Sequence, residues 1–347
     1  MASDAVEIEA GGRSVRVSSP TRVIFEATDV SPEVTKVMVA EYYVAVADGL
    51  MRALRDRPVA LERWPKGVRE GMVMSTRADS HGDAFYQKRM MRGAPAYVES
   101  TQVLFPSGRP ADEMCMTEIA VAAWAAHMGA ITFHPWPTRR IDNDRPDELR
   151  IDLDPFGAAT FADAVRVAAV ARDLFAELGI RAFAKTSGKR GVHIYARVAP
   201  SWTFTDVRHA AIAFARELER RTDGVTTAWW KEERGDNIFV DFNQNCRDRT
   251  IASAYSLRPA PGATVSMPVT WDELAGLDGP QAFTLHTVPD KIAADGDAWA
   301  EIDDVHHSLE PLLELWAADP VEMPYPPEYP KMPGEPKRVQ PSKAKKA

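Results

Sequence analysis

Hydrophobic and polar positions in the first third of the chain follow more than one period. Apolar residues recur four apart at Met38, Tyr42, Val46, Leu50 and Leu54, which predicts one amphipathic helix over residues 37–54. A second helix is predicted over 113–128, ended by Gly129, and it feeds a short strand, 131–134, stopped by Pro135 and Pro137. Residues from about 8 to 135 therefore read as a mixture of short strands and helices. The pattern beyond is more regular. Residues 150–155 read as a strand in which Ile151 and Leu153 face a core while Asp152 and Asp154 share the other face. Pro155 and Gly157 turn the chain into a helix over 161–178, with Gly179 as its C-cap. A strand over 180–185, a polar turn at 186–191, a strand over 192–198, a helix over 206–221 and an apolar strand at 237–242 complete the series. That order, β-α-β-turn-β-α-β, predicts an α/β or α+β sheet with its helices on one face. From Pro320 onward eight prolines fall in 28 residues, which predicts an extended or disordered tail.

The shared face of Asp152 and Asp154 is costly. Side chains two apart on a strand lie roughly 7 Å apart, where two like charges repel by about 2.4 kcal/mol at an effective dielectric near 20. A divalent cation held by both offsets that cost, and a solvated strand edge is the ordinary alternative. Asp241, between Val240 and Phe242, sits in an apolar context where a lone charge is expensive. It either joins the pair as an acidic triad able to hold two ions or pairs with Arg247 or Arg249. The turn Ser187, Gly188, Lys189, Arg190, Gly191 offers close backbone approach, a hydroxyl and two cations, all suited to phosphate, and His193 begins the strand beside it. A hairpin with solvated cations has the same composition. Arg258 is a second phosphate-gripping candidate or a surface arginine, and His134 is a site residue or a core histidine. Arg63 beside Trp64, and Phe85, Tyr86 and Lys88 together, interleave cations with rings as nucleic-acid sites do; core packing is the alternative for the rings.

Composition narrows the choice. The 347 residues are 45% hydrophobic, enough for one large domain or two closely packed ones. The net charge of -8 does not suit a protein that coats duplex DNA. Residues 331–347 carry +5 of it, so the remaining 330 residues carry -13, and any nucleic acid must meet a local basic groove. Cys115 and Cys246 lie 131 residues apart, which implies neither a zinc site nor a disulfide framework. No apolar leader opens the chain and no apolar run approaches the roughly 18 residues of a membrane span, so a soluble cytoplasmic protein is expected.

Taken in order, Asp152-Leu153-Asp154-Pro155, Ser187 to His193, Phe239-Val240-Asp241-Phe242-Asn243-Gln244-Asn245 and Ala254-Tyr255-Ser256-Leu257-Arg258 resemble the archaeo-eukaryotic primase superfamily. Within it they are similar to the polymerase domain of bacterial ATP-dependent DNA ligase D. Leu61-Glu62-Arg63-Trp64-Pro65, Phe85-Tyr86-Gln87-Lys88 and Phe133-His134-Pro135-Trp136-Pro137 match upstream, so the likeness spans about 8–300. It implies an α+β fold, a primase-like catalytic core with an RRM-like βαβ sheet packed on an N-terminal α/β module. The implied domain is 1–300, with modules of about 8–135 and 136–300, a helical segment at 301–319 and a Pro-rich basic tail at 320–347.

The implied activity is template-dependent nucleotidyl transfer: a primase-polymerase that adds nucleotides, preferring ribonucleotides, to 3' ends at short gaps or breaks during DNA repair. Asp152, Asp154 and Asp241 would hold two Mn2+ or Mg2+ ions. His134, Ser187, Lys189, Arg190, His193 and Arg258 would bind the NTP or dNTP. Phe85 and Tyr86 would stack on template or nucleotide, Arg63 and Lys88 would contact DNA, and Arg13, Arg16 and Arg22 are candidates for a downstream 5'-phosphate. Implied partners are gapped or broken DNA with a 5'-phosphate and, in trans, a DNA ligase and Ku, which would make the protein nucleoid-associated. No Lys-x-Asp-Gly ligase motif is present, so the chain is expected to act as a stand-alone polymerase. Three departures stand out. Lys189 takes the place of a second glycine, Glu62 stands where a basic residue is common, and Ala260 replaces a second arginine after Arg258. The segment 71–82 is also longer than usual. A non-catalytic end-binding scaffold is the competing reading, and an Mn-dependent glycosyltransferase leaves the 187–193 turn and Asp241 unexplained.

Overall fold

A computed structural model describes residues 4–29, 31–75, 80–327 and 329–331. The expected long segment at 71–82 lies partly, and the basic end at 332–347 wholly, outside the described residues.

The N-terminal module is built from short pieces. β1 (Ala5–Glu9) and β2 (Ser14–Ser18) form a hairpin, and β3 (Val23–Phe25) pairs with β4 (Val34–Thr35). Helices α1 (Lys36–Ala45) and α2 (Ala47–Leu54) lead into β5 (Val59–Arg63), which β6 (Phe85–Gln87) joins on one side. β7 (Ser100–Leu104) and β8 (Pro110–Met114) make a second hairpin. Helix α3 (Ile119–His127) then precedes β9 (Ala130–Pro135), which pairs with the other side of β5.

The second module follows the predicted order. β10 (Glu148–Pro155), α4 (Phe161–Glu177), β11 (Phe183–Thr186), β12 (Val192–Arg197), α5 (Phe204–Arg221), β13 (Val225–Thr226), β14 (Ile238–Val240) and β15 (Pro268–Val269) enter one sheet-and-helix layer pair. The six-stranded sheet runs β13-β14-β10-β12-β11-β15, with β10 antiparallel to both its neighbours. Helices α4 and α5 pack on the sheet and on each other, as the one-face expectation requires. Each opens on a reciprocal cap: Thr160 with Asp163, and Thr203 with Asp206, exchange side-chain and backbone hydrogen bonds that satisfy first-turn N–H groups. α6 (Trp271–Ala275), α7 (Val288–Asp295) and α8 (Glu310–Ala318) follow, and α8 lies along α5. No helix among the described residues is long and apolar enough to cross a membrane.

Several boundaries differ from those predicted. The single helix expected over 37–54 is two, broken at Val46. The break keeps Tyr42, Val46, Leu50 and Leu54 all buried, so the apolar spacing carries no trace of it. Beyond it α2 lies so close to Tyr255 that a Cβ on Gly49 would stand 2.3 Å from the ring. The helix expected from 113 begins at Ile119, and Glu113 and Met114 belong to β8, opposite Thr101 and Ser100. That helix is apolar on every side because it is buried on every side, so no period marks its start. β11 begins at Phe183, not 180. Asp241 stands one residue past the end of β14, where its side chain caps a 3-10 helix, Phe242–Asn245. The tail from Pro320 was expected to be extended or disordered. Residues 320–327 are without helix or strand but are packed, with Tyr325 only 4% exposed.

One continuous hydrophobic core runs through both modules. A buried ion network ties their seam. Arg57 donates to Asp147 at 2.6 Å and to Glu148 at 2.9 Å, Arg150 reaches Glu148 at 2.6 Å, Arg139 reaches Asp147 at 2.8 Å, and Arg197 pairs with Glu148. The fully buried Arg57 comes from the N-terminal module and its carboxylates from the start of β10.

Candidate functional site

Strand β10 places Asp152 opposite His193 of β12 and Asp154 opposite Phe239 of β14. The N–H of Asp241 donates to the Asp152 carbonyl at 3.0 Å, which sets Asp241 beside Asp152 although 89 residues separate them. One amide then spans both carboxylates: Gln244 Nε2 donates to Asp241 Oδ2 at 3.1 Å and to Asp152 Oδ2 at 3.4 Å. Burial, with the charges of Asp241 and Asp154, pushes the Asp152 carboxyl well above the usual carboxylate range. Asp154 and Asp241 are also raised by burial, with Arg190 pulling against it at the first and Arg249 at the second. One amide bridges Asp152 and Asp241, and the charge of Asp154 raises both. Asp154 is half-exposed with Arg190 at 3.9 Å, and no three metal-ligating side chains among the described residues form a ready cage. The donor set is nevertheless oxygen-only, and burial raises all three carboxyls, with repulsion between them adding to it at Asp152 and Asp241, which fits a hard divalent cation.

The opposite wall is cationic. The Gly188 carbonyl accepts from Thr264 Oγ1 at 2.6 Å, and Gly188 has φ +70° with a Cβ position 2.8 Å from the Val265 carbonyl oxygen. Glycine is therefore required there. Ser187 Oγ accepts the N–H groups of Lys189, Arg190 and Gly191 at 3.2, 3.1 and 2.9 Å. The hydroxyl thereby organises the turn that presents Lys189 and Arg190, and Ser187 itself lines the cavity between the walls. Arg258 is not a surface residue. Its Nε and Nη1 are buried with no hydrogen-bond partner among the described residues. Such a group is costly unless a ligand completes it. A cavity of about 310 Å³ joins the two walls, lined by Asp152, Asp154, Lys189, Arg190, His193 and Arg258 among others.

His193 and His134 stand between the walls. His193 Nε2 lies 3.4 Å from Asp152 Oδ1, and its Nδ1 lies 2.7 Å from Lys185 Nζ, which also donates to Ser266 Oγ at 2.5 Å. A donating Lys185 leaves Nε2 as the protonated nitrogen of His193. Burial and the neighbouring cations drive both His193 and Lys185 well below their ordinary values. His134 Nε2 donates to Glu62 Oε2 at 3.1 Å, and Tyr86 packs edge-on against the His134 ring at 5.3 Å. Burial alone would raise Glu62, but His134, Arg258 and Lys189 hold it at about 2; burial lowers His134 against the pull of Glu62. Glu62 thus orients the histidine where a basic residue was expected to meet a ligand.

Lys185 and Gln244 were missed as site residues. A lysine in the buried strand before the glycine turn was the available signal for the first, and the Asn-Gln-Asn run after Asp241 for the second. Of the expected DNA contacts, Tyr86, Arg16 and Arg22 are exposed. Others are engaged within the protein. Arg63 donates to the Met128 carbonyl at 2.7 Å and lies over Phe85, Lys88 pairs with Asp248 at 2.7 Å, and Arg13 pairs with Glu118 at 2.6 Å. Arg247, the alternative partner for Asp241, pairs with Asp144 at 2.7 Å.

Comparison with known proteins agrees with this geometry. The family described as LigD, primase-polymerase domain, matches residues 35–299. The chain is 33% identical over 292 residues to the multifunctional non-homologous end joining protein LigD of Pseudomonas aeruginosa, covering 83% of this chain and 32% of that protein. It is 28% identical over 284 residues to the bifunctional non-homologous end joining protein LigD of Bacillus subtilis, covering 81% and 43%. The chain thus spans less than half the length of these curated relatives. Among solved structures, the polymerase domain from Mycobacterium tuberculosis ligase D in complex with DNA superposes with a TM-score of 0.73 at 27% identity, covering 84% of this chain and 99% of that one. That family is generally metal-dependent. With carboxylates facing a cationic wall in an α+β core and a family match over most of its length, the chain belongs to the LigD primase-polymerase family and is a nucleotidyltransferase.

Proposed function

We propose that the protein fills short gaps and extends ends in DNA during non-homologous end joining, transferring templated nucleotides with a preference for ribonucleotides. The observation that carries this reading is the opposition, across one cavity, of mutually repelling carboxylates and an Arg258 guanidinium whose Nε and Nη1 have no hydrogen-bond partner among the described residues. A nucleoside triphosphate held with divalent cations satisfies both walls at once.

Asp152 and Asp241, with Asp154 at the edge, would hold two Mn2+ or Mg2+ ions, which supply activation of the primer hydroxyl and stabilisation of the pyrophosphate leaving group. The protein's own groups do the rest. Arg258, Lys189 and Arg190 neutralise the triphosphate, the Ser187 turn fixes the approach of the last two, and His193 offers Nε2–H to a phosphate oxygen. Gln244 keeps the two buried carboxylates apart in orientation while they await cations. Tyr86 stacks on a base, and Arg16 and Arg22 face a downstream 5'-phosphate. The relatives named as end-joining proteins support partnership with a ligase and Ku. A scaffold without catalysis is not favoured, because it gives the buried charges no purpose.

The test is extension of a 5'-phosphorylated gapped duplex with Mn2+ and labelled NTPs or dNTPs. Wild type adds templated nucleotides, and the double variant Asp152→Ala, Asp154→Ala adds none. Equal extension by both would overturn the assignment of these carboxylates, and tight gap binding without extension would favour the scaffold.

A further inference from the structure

Past residue 299 the chain leaves the residues matched by the family, yet beyond α8 it returns to the catalytic module. We propose that residues 319–327 form a positioning strap for Asp241, acting through Arg208 and Asn243; this rests on the reading of Asp241 as a metal ligand. Asp241 stands past the end of β14, so no strand pairing fixes its carboxylate. What fixes it is local: the Asn243 N–H donates to Oδ1 at 3.1 Å and Gln244 holds Oδ2. The Asn243 side chain is in turn wholly committed. Its Oδ1 accepts from Arg208 Nε at 2.9 Å and from the Cys246 thiol at 3.3 Å, and its Nδ2 donates to the Pro324 carbonyl at 2.9 Å.

Arg208 is the hub. Its side chain is 1% exposed on α5, and the strap surrounds it. Glu322 pairs with Arg208 Nη1 and accepts from His209 at 2.9 Å. The Met323 carbonyl accepts from Nη2 at 2.8 Å, and the Tyr325 ring lies 3.6 Å from the guanidinium. A guanidinium fork reads several acceptors at fixed angles, so the strap and Asn243 are held in one geometry. Removing Glu322 leaves a buried charge unpaired, which forces Arg208 to seek another partner and releases Asn243. A strap that only covered α5 and the largely apolar cavity of about 500 Å³ beneath Tyr325 would affect stability and not the Asp241 carboxylate.

Titration calorimetry of the full chain with Mn2+, alongside thermal unfolding, separates these roles. Glu322→Ala is expected to bind Mn2+ about tenfold more weakly, as loss of an outer partner of a metal ligand does. Arg216→Ala, which cuts the strap's first ion pair at Asp319 without touching Arg208, is expected to stay within about twofold while lowering Tm. Should Glu322→Ala not fold, Tyr325→Leu removes the ring under the guanidinium and keeps apolar area, and it too is expected to weaken Mn2+ binding. Asp241→Asn is the reference. If it loses Mn2+ affinity while Glu322→Ala and Tyr325→Leu bind as wild type does, the strap has no positioning role. If Asp241→Asn itself binds as wild type does, the metal assignment fails first.

Discussion

Arg258 and Glu113 show two ways in which a buried ionisable side chain departs from ordinary stability. Two nitrogens of Arg258 have no partner among the described residues, so the free protein carries their desolvation as a cost. Arg258→Met is therefore expected to leave Tm unchanged or raise it, while raising KM for the nucleotide by about 10- to 100-fold through loss of charge-assisted hydrogen bonds. Steady-state kinetics and a melting curve on one preparation check this, and a fall in Tm would mark the arginine as structural. Glu113 accepts from Trp136 Nε1 at 2.9 Å, and burial pushes its carboxyl up to about 8. The folded protein then keeps a proton that the unfolded chain releases above its ordinary value of 4.5. The cost is absent below that value, grows as pH rises, and is complete above about 8. Glu113→Gln is expected to stabilise the protein at pH 8.5 by on the order of a few kcal/mol, read as a higher Tm, and to change Tm little at pH 4.5.

At the scale of elements, the glycine turn shows how local structure becomes function. Gly188→Ala meets a positive φ and a carbonyl 2.8 Å from the new methyl, so the turn must shift. The Ser187 hydroxyl then loses its three N–H donors and the cations lose their aim. We expect nucleotide KM to rise with the Mn2+ affinity of the Asp152–Asp241 pair little changed, which kinetics and calorimetry together read. This turn was legible in sequence because glycines and polar residues between two apolar strands act over a few positions. β10, α4, β12 and α5 were legible for the same reason, each having a period and a cap or a turn. The break at Val46 was not, because the buried apolar spacing runs straight through it, and the start of α3 was not, because burial on all sides erases the period that marks an end.

Over the whole molecule, the two modules share a core and a seam of buried charge, so they are expected to unfold together. Arg57→Met leaves Asp147 and Glu148 short of a cation and is expected to cost about 3–5 kcal/mol. Denaturant titration followed by fluorescence and by circular dichroism checks both statements: one coincident transition for wild type, and a lower midpoint for the variant. Non-coincident transitions would mean that the modules fold separately. The assembled site likewise depends on long-range neighbours. Thr132 Oγ1 donates to the Leu257 carbonyl and Ser256 Oγ accepts from the Phe133 N–H, which stitches the Arg258 segment to β9 and His134.

Sequence by itself determined the strand that bears Asp152 and Asp154, the glycine turn, the glycine that ends α4, and the identity of most charged site residues, since these follow from rules that span only a few residues. Tertiary structure alone decided which charges meet. It set Asp241 beside Asp152 past the end of a strand, gave Lys185 to His193 and Gln244 to two carboxylates, and buried two nitrogens of Arg258 without a hydrogen-bond partner among the described residues. It also turned Arg63, Lys88 and Arg13 toward internal partners and laid the strap on Arg208. Each of these is a contact between distant parts of the chain or a matter of burial, and its energy exists only once the sheet, the helices and the C-terminal segment have closed around it.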